Sequence, residues 1–130
     1  LFIGLSPGEL RLVEQLMHER TYLPNEVVFD EGEEGHAIYI ILEGTVAITR
    51  TRNGVVSEVA RLGVGEFFGE LALLDRAPRN ASVVAETDME LAVLGQREFA
   101  ALIDEVPGFS HKLLAAMAKR LRESDARSVQ

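Results

Sequence analysis

Cysteine is absent from the 130 residues, which excludes a disulfide framework and a thiolate metal site and points to a reducing interior. No uninterrupted apolar run approaches the ~20 residues that span a bilayer, and Leu1 to Leu5 is too short, and lacks the basic flank, for a signal peptide. Basic residues are few: 13 Lys and Arg stand against 21 Asp and Glu, a formal net charge of -8. Such a surface repels nucleic acid and anionic membranes at long range, so neither direct nucleic-acid contact nor a membrane span is expected. His18, His36 and His111 are far apart, without the H-x-H or H-E-x-x-H spacing of a metal site. Glu66 and Glu70 stand four apart but have no histidine, serine-nucleophile motif or metal set beside them. These absences predict a cytoplasmic binding module without metal or prosthetic group, not an enzyme.

What is present is ordinary globular material, 47% hydrophobic and 26% charged, of a length that makes one domain around one core. Ser6, Pro7 and Glu9 form a capping box with proline at the first helical position. The helix that follows carries Leu10, Val13 and Met17 on one stripe, widened by Leu12 and Leu16, and the spacing places His18 near its C-terminus. From Thr21 to Gly95 the pattern becomes short apolar runs punctuated by glycine, the signature of many short strands in a barrel or sandwich. Ala37 to Leu42 is apolar at every position, which predicts a strand buried on both faces, turned by Glu43-Gly44 into Thr45 to Thr51. Asn53-Gly54 is the strongest hairpin signal in the chain and leads into Val55 to Leu62. Ser82 to Ala85 and Met89 to Leu94 read as a last strand pair turned at Glu86 to Asp88. Past Gly95 the period returns to 3.6, with Phe99, Leu102 and Ile103 on one helix face. Val106-Pro107-Gly108 ends that helix, and a second one from about Pro107 carries Phe109, Leu113, Met117 and Leu121 before a polar tail. The expected fold is mainly β with flanking helices, a β-roll or jelly-roll barrel with an N-terminal helix and two C-terminal helices.

The stretch GEFFGELALLDRAPRNASV, Gly65 to Val83, asks for a physical explanation. Gly69 permits a close backbone approach or a positive φ, and Glu70 to Leu74 has the composition of one short helical turn whose first N–H groups lack partners. Such a terminus attracts anions. Arg79, with Arg76 nearby, adds a planar fork that meets a phosphate with two parallel hydrogen bonds. Glu70 beside a phosphate is unfavourable unless it accepts from a neutral hydroxyl such as a ribose 2′-OH, so a sugar phosphate fits better than a bare anion. Each residue also has a plainer reading: Arg79 as a surface arginine after a turn proline, Glu70 as a carboxylate favoured by a helix dipole.

Gly69, Glu70, Leu71, Ala72 and Leu73, followed by Pro78, Arg79, Asn80, Ala81 and Ser82, resemble the phosphate-binding cassette of the cyclic nucleotide-binding domain family. The resemblance extends to LFIGLSPGEL as the family's opening helix, IYIILEGTVAI as its EG turn, and the last two helices as its hinge pair. It implies one domain over 1–130, divided into a helix over 1–20, a β-barrel over 21–95 with the cassette at 68–82, and hinge and lid helices over 96–127. It further implies that Glu70 binds the ribose 2′-OH, that Arg79 binds the exocyclic phosphate oxygens, and that cassette N–H groups of Gly69, Leu71, Ala72, Asn80 and Ala81 complete the cradle. Family members accepting cGMP often carry threonine or serine after the arginine, and those preferring cAMP carry alanine. Asn80 is neither, and cAMP is favoured over cGMP as the ligand. By the same analogy Ile48 and Val59 supply aliphatic walls to the purine, and Leu113 or Met117 of the last helix caps the base; all four are equally at home as plain core. The implied function is sensing a cyclic nucleotide and relaying it, by movement of Gln96 to Asp104 about Pro107 and Gly108, to an attached effector domain or a partner protein outside this sequence. The chain is either a regulatory piece of a larger protein or stands alone, with the Lys119 to Ser124 helix face a solvated surface or a homodimer seam. The rival readings are a degenerate fold kept for protein contacts and a small metal-dependent barrel enzyme.

Overall fold

The computed structural model describes residues 6–70 and 78–128. Among these residues the contacts form two compact units, one within Met17–Phe99 and the other within residues 6–16 and 100–128. The first unit holds β1 (His18–Tyr22), β2 (Val27–Phe29), β3 (Ala37–Glu43), β4 (Val46–Arg52), β5 (Val55–Leu62), β6 (Phe67–Phe68), β7 (Ser82–Ala85) and β8 (Met89–Gly95). They make two antiparallel sheets, β1-β8-β3-β6 and β2-β7-β4-β5.

These orders follow from one long ribbon folded over on itself. β4 pairs β5, β3 pairs β6, β2 pairs β7 and β1 pairs β8, each pair nested within the next. Wrapping the ribbon then brings β8 beside β3 and β7 beside β4, which is the jelly-roll arrangement expected for a glycine-punctuated β chain. The apex of the ribbon is Asn53-Gly54, with φ of 54° and 77° and Arg52 opposite Val55. A two-residue turn with both φ positive matches the right-handed twist of its strands, and asparagine-glycine supplies it with little strain.

Two sequence expectations are corrected. β7 and β8 do not pair with each other but lie in different sheets. Ribbon wrapping assigns every strand except those at the apex a partner far away in sequence, and a short apolar run carries no signal of that partner. His18 does not end the first helix, which stops at Leu16; it opens β1 opposite Val93. Backbone pairing with the buried strand β8 outweighs continued helical periodicity there.

The core between the sheets contains Phe29, Val46, Val83 and Ala85 from one sheet and Tyr39, Ile41, Phe68, Met89, Leu91 and Val93 from the other. Alternation along β3 and β8 turns Ile38, Ile40, Ala92 and Leu94 to the opposite face, and these are buried too. While β1 at the sheet's edge is largely exposed, β3 and β8 are therefore hidden on both faces, as the apolar run in β3 predicts. By contrast β5 is an edge strand that exposes Val55, Val56 and Val59.

The helical unit begins with α1 (Pro7–Leu16). Its capping box is formed: the Ser6 N–H donates to Glu9 Oε1 at 2.9 Å and the Glu9 N–H donates to Ser6 Oγ at 3.2 Å. The chain leaves β8 into α2 (Gln96–Glu105), which begins in the β unit and continues in the helical one, and then forms α3 (Pro107–Ser128). Pro107 has no N–H to continue α2, yet its fixed φ suits the first position of α3. Leu102, Val106, Phe109 and Leu113 are buried.

Candidate functional site

Arg79 precedes β7, and its backbone is clamped before its side chain is considered. The Arg79 N–H donates to the Glu33 carbonyl and the Gly32 N–H donates to the Arg79 carbonyl, both at 2.8 Å. This pair of bonds extends the β2–β7 pairing into the loop after β2. The loop is held in turn at Glu31, whose N–H donates to Ser82 Oγ at 2.8 Å. The Glu31 carboxylate accepts from the Thr51 N–H at 3.1 Å and from Arg52 Nη1 at 2.9 Å. The Arg52 and Thr51 donors hold this carboxyl below its usual range.

The guanidinium turns inward. Only 6% of Arg79 is exposed. Nη1 donates to the Gly69 carbonyl at 2.7 Å and Nη2 to the Ala37 carbonyl at 3.0 Å, the latter 42 residues away. Cζ lies 4.2 Å from the centre of the Phe29 ring and 5.7 Å from that of Tyr39, inside cation–π range. Tyr39 is stacked on Phe68 at 5.1 Å, and Phe29 leans against both. Burial lowers the Arg79 pKa, while Tyr39, Glu33 and Glu70 oppose that shift; burial also raises the Tyr39 pKa. The guanidinium remains a cation in a partly dry niche. Nε is buried with no hydrogen-bond acceptor among the described residues. Two of the five N–H groups of the guanidinium serve carbonyls, and the Nε–H without an acceptor is a donor that suits an anion.

Gly69, with φ of 85°, ends β6 in a conformation that glycine adopts without strain. It aims its carbonyl at the guanidinium and delivers Glu70, which is 9% exposed. One buried cation and one buried carboxylate thus converge where β6 leaves the barrel and β7 returns to it. A buried charge is tolerated only with such compensation.

The other expected residues are spread more widely. Leu71 and Ala72, with the short helical turn expected from Glu70 to Leu74, lie wholly or partly outside the described residues. Ala81 is buried. Asn80 is exposed, and its carbonyl accepts from Arg50 Nε at 3.2 Å. Ile48 packs against the core from β4. Val59 occupies the bulge in β5, where the register skips from Ala60 to Glu58, and is 44% exposed. Leu113 is buried and Met117 half-buried on α3, in the other unit. No group of three or more metal-ligating side chains occurs among the described residues, and none of their helices is long and apolar enough to cross a membrane. Sequence reasoning missed Phe29, Tyr39, Gly35 and the Gly32-Glu33 clamp.

Known proteins share this architecture. The crystal structure of the Thermus thermophilus catabolite activator protein has a TM-score of 0.89 at 40% identity, over 97% of this chain and 60% of that chain. The cyclic AMP receptor protein of Thermus thermophilus is 41% identical over 126 residues, which is 96% of this chain and 58% of that protein. A cAMP-dependent protein kinase regulatory subunit from Hypocrea atroviridis is 36% identical over 105 residues, 81% of this chain and 22% of that protein. The chain thus spans less than two thirds of the length of these relatives. These neighbours define a class, the jelly rolls of cyclic-nucleotide-binding type. The sequence pattern of the cyclic nucleotide-binding domain matches residues 19–106, and the chain belongs to that family.

Proposed function

We propose that this domain binds cAMP in preference to cGMP, with Arg79 donating to the exocyclic phosphate oxygens and Glu70 accepting from the ribose 2′-OH. The observation that carries the reading is the buried Arg79 and Glu70 brought together beside Gly69, with the Arg79 Nε–H lacking an acceptor among the described residues. The family supports a cyclic nucleotide as ligand, and the names of the Thermus and Hypocrea relatives favour cAMP. The formal charge of -8 does not oppose an anionic ligand, because exposed charges beyond about 8 to 10 Å are screened at physiological salt. A guanidinium in a partly dry niche is screened much less.

The backbone of Leu71, Ala72, Asn80 and Ala81 completes the phosphate cradle in this reading, and Ile48, Val59, Leu113 and Met117 line the purine. Binding is relayed by movement of α2 and α3 to an effector domain or partner, and α3 offers a homodimer seam. No catalytic step and no direct nucleic-acid contact belong to it. Calorimetric titration of cAMP and cGMP into wild type and Arg79→Leu tests the proposal. Wild type binds, cAMP more tightly, and the substitution lowers affinity by about tenfold or more, the loss of at least one charge-assisted hydrogen bond. Equal affinities refute the role of Arg79. Heatless titrations of both nucleotides favour the second reading, a degenerate domain used for protein contacts.

A further inference from the structure

Residue 35 is glycine without a conformational reason. The positive-φ glycines are Gly32, Gly44, Gly54, Gly65 and Gly69; Gly35 is not among them, so its backbone accepts alanine without strain. What alanine lacks there is space. A Cβ built on Gly35 would lie inside contact distance of Cζ and Nε of Arg79 and 2.7 Å from Nη2, closer than non-bonded heavy atoms approach. These atoms are the far end of a flexible side chain, so the guanidinium would give way and the sheets would not.

We infer that Gly35 is a positioning residue: the Cβ it lacks is the space that lets the guanidinium of Arg79 lie on Phe29 and reach the Gly69 and Ala37 carbonyls. The Phe29 and Tyr39 rings flank this niche, the two carbonyls form its end, and the bare α-carbon of Gly35 is a further wall. Any side chain at 35 tilts the fork off that seat and misaligns its donor edge. Gly69 meets Nη1 in the same way, but its φ of 85° requires glycine independently, so Gly35 is the cleaner probe. The inference rests on the reading of Arg79 as the partner of the ligand phosphate.

The test compares wild type, Gly35→Ala, Arg79→Leu, the double variant and Gly63→Ala. Gly63 also lacks a positive φ, and its added Cβ meets nothing closer than 3.8 Å. Three readouts are taken: cAMP affinity by calorimetry, the melting temperature, and the NMR signal of the Arg79 Nε–H group, identified by its loss in Arg79→Leu and shifted in wild type by the Phe29 ring. Gly35→Ala is expected to weaken cAMP binding by about tenfold or more and to move the Nε–H signal away from its ring-shifted position. Gly63→Ala changes neither. In the Arg79→Leu background the guanidinium is gone, so adding Gly35→Ala does not lower the melting temperature. The inference is overturned if Gly35→Ala binds cAMP like wild type with an unmoved Nε–H signal, or if it lowers the melting temperature equally in both backgrounds. Should Arg79→Leu itself bind like wild type, the assignment of Arg79 fails instead, a distinct result.

Discussion

Replacing Arg79 with lysine keeps the charge and removes the fork, which makes it a sharper probe than leucine. In the native niche two of five guanidinium N–H groups serve the Gly69 and Ala37 carbonyls. An ammonium has three N–H groups. If lysine satisfies both carbonyls, one donor remains where arginine has three; if it turns to the ligand, one or both carbonyls lose their partner. Either way at least one charge-assisted hydrogen bond is lost, worth about 1.5 to 3 kcal/mol. The compact ammonium also lacks the flat face that lies 4.2 Å above Phe29. At about 1.4 kcal/mol per factor of ten, Arg79→Lys should bind cAMP roughly 10- to 150-fold more weakly than wild type. Calorimetric titration reads the affinity, and a thermal melt confirms that the variant is folded. Affinity within about threefold of wild type would show that charge alone suffices, which would remove the argument from fork geometry.

Asn80 is exposed and its recorded hydrogen bond uses its carbonyl rather than its amide, so Asn80→Ala should change the cAMP to cGMP affinity ratio by no more than about threefold; a larger change by titration would assign the side chain to the purine. Glu90 has its pKa raised by a hydrogen bond with Glu19, by repulsion from that carboxylate, by burial and by Glu43. The folded state therefore takes up this proton more readily than the unfolded chain, so the group opposes folding near neutral pH and the opposition fades as pH falls through the raised value. Glu90→Gln should raise the melting temperature near neutral pH, and the gain should vanish in melts below the ordinary carboxylate range; a constant gain would contradict the linkage. Gly54 holds φ of 77° at the hairpin apex, and Gly54→Ala should destabilise by about 1 to 2 kcal/mol in urea titration, whereas no loss would mean that the turn relaxes. Leu91 is fully buried in the core, and Leu91→Ala should cost about 2 to 5 kcal/mol in the same assay.

The amino-acid sequence determined several features held by near neighbours. Ser6 and Glu9 are three apart, so the partners of their capping box are both set by local spacing. Asn53-Gly54 encodes its own backbone angles, and Pro107 separates two helices because it lacks an N–H. The order of residues from Gly69 to Ser82 was enough to suggest a family that comparison with known proteins established. Tertiary structure decided what depends on distant partners. β7 and β8 share a short turn yet join opposite sheets, because each pairs with a strand far away in sequence, which leaves no mark on either strand. The seat of Arg79 is built from Phe29, Gly35, Ala37 and Gly69, four residues on different segments whose local chemistry is ordinary. A hydrogen bond between positions 42 residues apart has no counterpart in spacing or propensity, since loop closure brings its ends together only when the whole barrel folds.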